Sequence, residues 1–116
     1  LLDWTSMRTR SSHAFFQVEQ TREFAEWLAE LKDDRARARI LVRIDRLTLG
    51  NFGDAKPLGG SISELRVDYG PGYRIYFARV GKRLVLLAYG GDKSRQSRDI
   101  ERARALVAAW KPNDGN

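Results

Sequence analysis

Between Ser63 and Gln96 the chain reads SELRVDYGPGYRIYFARVGKRLVLLAYGGDKSRQ, and no other stretch restricts the fold as much. Leu65, Val67 and Tyr69 alternate with Glu64, Arg66 and Asp68, the two-residue period of a strand with one apolar face. Gly70-Pro71-Gly72 supplies a turn. Tyr73, Ile75 and Phe77 then alternate with Arg74, Tyr76 and Ala78, and Val80-Gly81-Lys82-Arg83 forms a second tight turn with its glycine placed for a type II′ hairpin. Leu84 to Ala88 (LVLLA) is apolar without a break, the mark of a strand buried on both faces and central in its sheet. Gly90-Gly91 is expected to end it.

The segments on either side must cover this sheet. Residues 1–13 show no sustained period and read as a disordered leader, or as residues that an expression vector contributes, with Met7 a candidate start. His13, at the end of the leader, reads as incidental rather than as a general base. Ala14 to Glu19 reads as a strand, and Thr21 as the N-cap of a helix with Glu23 in its first turn. Phe24, Leu28 and Leu31, with Trp27 beside them, form its apolar stripe. Asp33-Asp34 interrupts that helix and caps a second, whose stripe is Ile40, Leu41, Ile44, Leu47 and Thr48. Arg35, Arg37, Arg39, Arg43 and Arg46 occupy the rest of it, a pattern that reads first as a solvated face. Gly50 is placed at C′, and Asn51 to Gly60 reads as a loop carrying Lys56. Ser94 or Ser97 is expected to cap a last helix with Ile100, Ala103, Val107 and Trp110 on its stripe; Lys111-Pro112 stops it, and residues 112–116 are a frayed tail. Residues 14–111 thus predict one α+β domain of order β-α-α-β-β-β-α, a small antiparallel sheet with helices packed on one face.

Residue usage removes several kinds of chemistry. The 116 residues contain no cysteine and one histidine, which leaves no disulfide, zinc–thiolate site, Ser–His triad or Cys–His triad to consider. P-loop, HExxH and strand-to-helix GxGxxG patterns are absent. Neither a metal nor a cofactor is expected. No apolar run approaches the ~20 residues that span a bilayer, so no membrane association is expected and the cytoplasm is the default location. The formal net charge of +6 draws the chain toward polyanions.

If the first turn pairs Tyr69 with Tyr73, then Arg66 faces Tyr76 and Asp68 faces Arg74 on one side of the sheet, with Leu65, Val67, Ile75 and Phe77 on the other. If the second pairs Val80 with Arg83, Tyr89 faces Arg74 on that same polar side. Lys93, Arg95 and Gln96 follow just beyond. Arginines fork onto phosphates and tyrosines stack on bases. An aromatic, basic face of this kind suits single-stranded RNA, although a cross-strand ion pair explains Arg66, Asp68 and Arg74 equally well. Cleaving RNA without metal requires a base for the 2′-hydroxyl, charge stabilisation and an acid for the 5′-oxygen. Repulsion among Lys93, Arg66 and Arg74 is expected to depress their pKa values toward that task.

The stretches TREFAEWLAELKD (21–33), RARILVRIDRLTLGNFGDAKPLG (37–59), ELRVDYGPGYRIYF (64–77) and GGDKSRQSRDIERA (90–103) resemble the RelE/ParE superfamily of toxin–antitoxin toxins, most closely the HigB-like addiction module killer branch. The resemblance implies a RelE-like sheet flanked by helices. It implies a toxin of a type II module, a metal-independent, ribosome-dependent mRNA endoribonuclease. A helix-turn-helix antitoxin would neutralise it, and the complex would contact operator DNA. It assigns catalysis to Arg66, Arg74 and Lys93, and RNA binding to the neighbourhood of Gln96. Tyr76, Tyr89, Arg95 and Lys56 complete the candidate RNA-binding set. The chain departs from RelE-like patterns, which often carry two lysines where Arg66 and Asp68 stand and a tyrosine where Arg98 and Asp99 stand. Two other activities stay open on the same fold. One is ParE-like inhibition of DNA gyrase without nuclease activity; the other is binding of antitoxin and operator alone.

Overall fold

The computed structural model describes residues 16–111, so the leader with His13 and the tail lie outside the described residues. The elements in chain order are β1 (Gln17–Gln20), α1 (Arg22–Glu30), α2 (Asp34–Thr48), β2 (Ala55–Gly59), β3 (Ile62–Val67), β4 (Tyr73–Val80), β5 (Leu84–Asp92), a 3₁₀ turn (Lys93–Arg95) and α3 (Gln96–Ala109). The strands form one sheet in the order β1-β5-β4-β3-β2. Among the described residues no helix is long and apolar enough to cross a membrane.

The helix boundaries follow from local chemistry. The Thr21 hydroxyl accepts from the Phe24 amide at 2.9 Å and starts α1. It also donates to the Ala88 carbonyl at 2.7 Å, fastening that start to β5. Asp33 caps α2 by accepting from the amides of Arg35 and Ala36. Gly50 takes φ +82° just after the Leu49 C-cap, a conformation that suits glycine at C′. The buried positions of α2 include Ala36, Ile40 and Leu47, while Leu41, expected on that stripe, is 48% exposed. Leu41 lies about 100° around the helix from Ile40, outside the face that meets the sheet.

The architecture corrects the sequence reading in three respects. Residues 55–59 form an edge strand rather than a loop, paired antiparallel to β3 with a register shift between Pro57 and Gly59. Proline has no amide to donate and survives in a sheet only at such an edge. Next, β1 runs parallel to β5, so the sheet is not wholly antiparallel. The helices, moreover, cover both faces. Phe24, Ile40 and Leu47 pack with Leu65, Val67, Ile75, Phe77, Val85 and Leu87 on one face. Ala103, Ile100 and Val107 of α3 pack with Ile62, Tyr76, Ala78 and Ala88 on the other. A strand apolar on both sides, as β5 is over Val85–Ala88, has to be covered on both sides.

The hairpins also differ in register from the expectation. Arg66 stands opposite Arg74, and Glu64 opposite Tyr76. The second turn holds three residues, with Val80 opposite Leu84 and Gly81 at φ +65°. A bulge then shifts the pairing between Tyr76 and Phe77, so that Tyr89 stands opposite Tyr76 and Gly91 opposite Arg74. Gly90-Gly91 does not end β5, which continues to Asp92. The two glycines lie where neighbours press closest: a Cβ on Gly90 would run into the Trp27 ring of α1, and one on Gly91 into the Asp99 carboxylate of α3.

Candidate functional site

Two cross-strand rows lie side by side on the face that α3 partly covers. One runs Lys56, Glu64, Tyr76, Tyr89; the next runs Arg66, Arg74, Gly91. Like charges directly opposite on neighbouring strands repel, yet Arg66 and Arg74 are so placed. Glu64 resolves the conflict. Its side chain is fully buried; Oε2 accepts from Arg66 Nε at 2.8 Å, and Oε1 accepts from the Gln96 amide at 3.0 Å. Arg74 Nε lies 3.5 Å from Oε1, close enough for ion pairing but without hydrogen-bond geometry. The Arg66 pKa is accordingly raised, first by the Glu64 hydrogen bond and then by its charge. The expected depression by neighbouring cations does not occur at Arg66, where the hydrogen bond and charge of Glu64 dominate.

The main chain of this row is braced from below. Arg43 of α2 donates through Nη1 to the Arg66 carbonyl at 2.7 Å. Two other α2 arginines also have internal tasks: Arg39 lies over the Tyr69 ring at 4.6 Å, and Arg37 reaches the carbonyls of Leu28 and Leu31 at the end of α1. The helix is therefore less a solvated face than its sequence suggests.

Lys93 completes the cationic set. Its backbone amide donates to the Gly72 carbonyl at 3.0 Å, and its aliphatic stem passes over Gly72, which adopts φ +85°. Neither Ser94 nor Ser97 supplies the cap here. Instead Asp92, at the end of the extended β5, accepts from the Ser94 amide at 2.8 Å. That bond and the Ser94 hydroxyl hold the Asp92 pKa below its ordinary value. No side chain caps α3 itself.

Arg66, Arg74 and Lys93 thus line one cleft of about 320 Å³, walled by the Gly70–Gly72 turn and flanked by Asp54 and Asp68. Arg95 and Gln96 lie beside Lys93 along an adjoining, more open concavity that extends to Arg98. The other residues singled out in the sequence fall elsewhere. Lys56 is exposed on the edge strand and does not line the cleft. Tyr89 is half-buried in a separate hollow with Trp27 and Asp99. Tyr76 is wholly buried beneath α3, its pKa pushed up to about 12, chiefly by burial. A ring so enclosed has no face to offer an RNA base, which corrects its assignment as an RNA-binding residue. The Gln96 amide is likewise engaged with Glu64.

Among the described residues no three His, Cys, Asp or Glu side chains are grouped to hold a metal ion. The residue that sequence reasoning missed is Glu64. Its only signal was its place two residues before Arg66 on the same strand face, a short same-face ion pair that strand periodicity exposes.

No family model matches the chain. An uncharacterized protein of Haemophilus influenzae (strain ATCC 51907 / DSM 11121 / KW20 / Rd) is 49% identical over 91 residues, covering 78% of this chain and 92% of that protein. The chain belongs to the family of this Haemophilus protein. Family membership at that coverage extends over nearly the whole relative rather than a shared motif. Among solved structures, a double arginine-to-alanine mutant of Escherichia coli toxin RelE in the free state superposes with a TM-score of 0.59. It is 15% identical, and the match covers 77% of this chain and 97% of RelE. The fold of this family member is RelE-like, a mixed α+β sheet flanked by three helices.

Proposed function

We propose that the protein is the toxin of a type II toxin–antitoxin module of the HigB-like kind, acting in the cytoplasm as a metal-independent endoribonuclease on mRNA held by the ribosome. A small helix-turn-helix antitoxin neutralises it, and the pair contacts operator DNA through the antitoxin. The observation that carries this reading is the convergence of Arg66, Arg74 and Lys93 on one cleft beside the Gly70–Gly72 turn.

The chemistry is transesterification. The 2′-oxygen bonds to phosphorus, the bond from phosphorus to the 5′-oxygen breaks, and negative charge builds on the equatorial oxygens between the two events. Arg66 and Arg74 stand side by side where a phosphate can be forked by both guanidiniums. Lys93 adds a third cation at the rim. Losing one such donor costs a rate factor of roughly 10² to 10³. Among the described residues no histidine lines the cleft, so proton transfer falls to water and the substrate's own environment. Positioning by the ribosome then contributes the remaining acceleration.

The test is to induce the chain in bacteria, follow growth and map mRNA 5′ ends. Cuts inside translated codons, abolished by Arg74→Ala with an unchanged melting temperature, are the expected result. DNA breaks without mRNA cuts would replace this reading with gyrase inhibition. Growth arrest and cuts that persist in an Arg66→Ala/Arg74→Ala variant would move the site elsewhere.

A further inference from the structure

We infer that Glu64 is the positioning residue of the cleft: it holds Arg66 and Arg74 as a two-guanidinium clamp for a single phosphodiester and ties the start of α3 to that clamp. This role rests on the phosphodiester-cleaving reading above, but the geometry that carries it does not.

Two arginines directly opposite on antiparallel strands separate unless something shared draws them together. Glu64 is one rung away on the same face and touches both. It does so at Nε of each guanidinium. Among the described residues, no protein group hydrogen-bonds the Nη nitrogens of either, so these remain for a ligand. The carboxylate cannot trade these partners for water, because its side chain is fully buried. A buried carboxylate deprived of its cations is costly, so the position of one arginine constrains the other. Gln96 extends the constraint. It is the first residue of α3, follows directly on the turn that carries Lys93, and donates to Oε1, the oxygen that faces Arg74. One carboxylate therefore joins β3, β4 and the chain segment bearing Lys93.

A carboxylate inside a phosphate site weakens binding by its charge, so its presence signals orientation rather than affinity. Glu64→Gln keeps the shape and removes the charge. It should bind a cleavage-resistant RNA carrying a 2′-deoxy sugar at the scissile position as tightly as the wild type or more so. Its single-turnover cleavage of mRNA on programmed ribosomes should fall by about 10²-fold, the usual cost of misplacing a catalytic group by about 1 Å. Glu64→Asp, which is shorter but keeps the charge, should recover part of the loss. A merely structural residue would instead lower binding, turnover and melting temperature together. Wild-type turnover in a Glu64→Gln variant that melts normally would overturn the assignment.

A substrate-free measurement separates this proposal from the functional reading. In the wild-type protein the Arg66 Nε–H should exchange with solvent at least about tenfold more slowly than that of exposed Arg95, because its charge-assisted bond to the buried Glu64 carboxylate protects it. Absence of mRNA cleavage with a protected Nε–H would defeat the nuclease reading and leave the clamp standing. An unprotected Nε–H would defeat the clamp, whatever the enzyme does and whether or not the variants fold.

Discussion

Replacing Gly90 with alanine puts a methyl group where the Trp27 indole already lies. An ideal Cβ on Gly90 falls 2.7 Å from Trp27 Cδ2 and closer still to Cε3 and Cζ3. Carbon atoms rest at about 3.5–4.0 Å, so the ring must retreat by about 1 Å or β5 must bend away. Neither movement is free. Trp27 packs on Phe24 at 5.6 Å and on Tyr73 at 6.3 Å between ring centroids. β5, in turn, is held between β1 and β4. Overpacking a site of this kind costs about 1–3 kcal/mol. At roughly 4–8 °C per kcal/mol for a domain near this size, the melting temperature should fall by about 10 °C. Thermal unfolding followed by circular dichroism, with urea midpoints alongside, reads the effect. The same substitution in a Trp27→Leu background should cost at least 1 kcal/mol less, a coupling of the size expected for residues in contact. If Gly90→Ala melts with the wild type in both backgrounds, α1 does not rest on the glycine pair. The reason offered for β5 running through Gly90-Gly91 then fails.

Two further substitutions probe the elements that frame the cleft. Thr21→Ala removes both the cap of α1 and the donor to the buried Ala88 carbonyl; it should cost about 2 kcal/mol in urea unfolding, with Thr21→Ser recovering most of it. Asp99 is buried at the start of α3, and burial raises its pKa against the pull of Arg95. The folded state therefore holds its proton more tightly than the unfolded state. The associated stability is complete below the ordinary carboxyl pKa and is lost as pH rises through the raised one. Asp99→Asn should flatten that decline in urea midpoints measured between about pH 4 and pH 8; an unchanged pH profile would show that Asp99 is not the group responsible.

Much of the fold was legible in the chain because its signals are local. Caps at Thr21 and Asp33, the glycine stop at Gly50, the helix stripes and the two-sided run of β5 each depend on neighbours within a few residues. Even the membership of Arg66, Arg74, Tyr76 and Tyr89 in one sheet face was readable, since facing depends only on whether residues are an even or odd count apart. For Tyr89 this held through compensation. A turn one residue longer than expected moved it to the wrong face, and the bulge beside Tyr76 brought it back. The directly opposed Arg66–Arg74 pair was not readable, because the first hairpin pairs two residues out of step with a Tyr69–Tyr73 closure.

What covers each face was decided only by tertiary structure. No local pattern announces that β1 will lie parallel to β5, that a proline-bearing segment will add an edge strand, or that α3 will pack opposite α1 and α2. Those outcomes depend on pairings between residues far apart in the chain. They bury Tyr76, leave Arg66 reachable and place Lys93 over the Gly72 turn. They also gather two arginines and a glutamine 32 residues from Glu64 around that one buried carboxylate. The sequence by itself determined which side chains share a face; only the folded chain determined which of them meet, because a shared face is a matter of local period and a contact is a matter of distant partners.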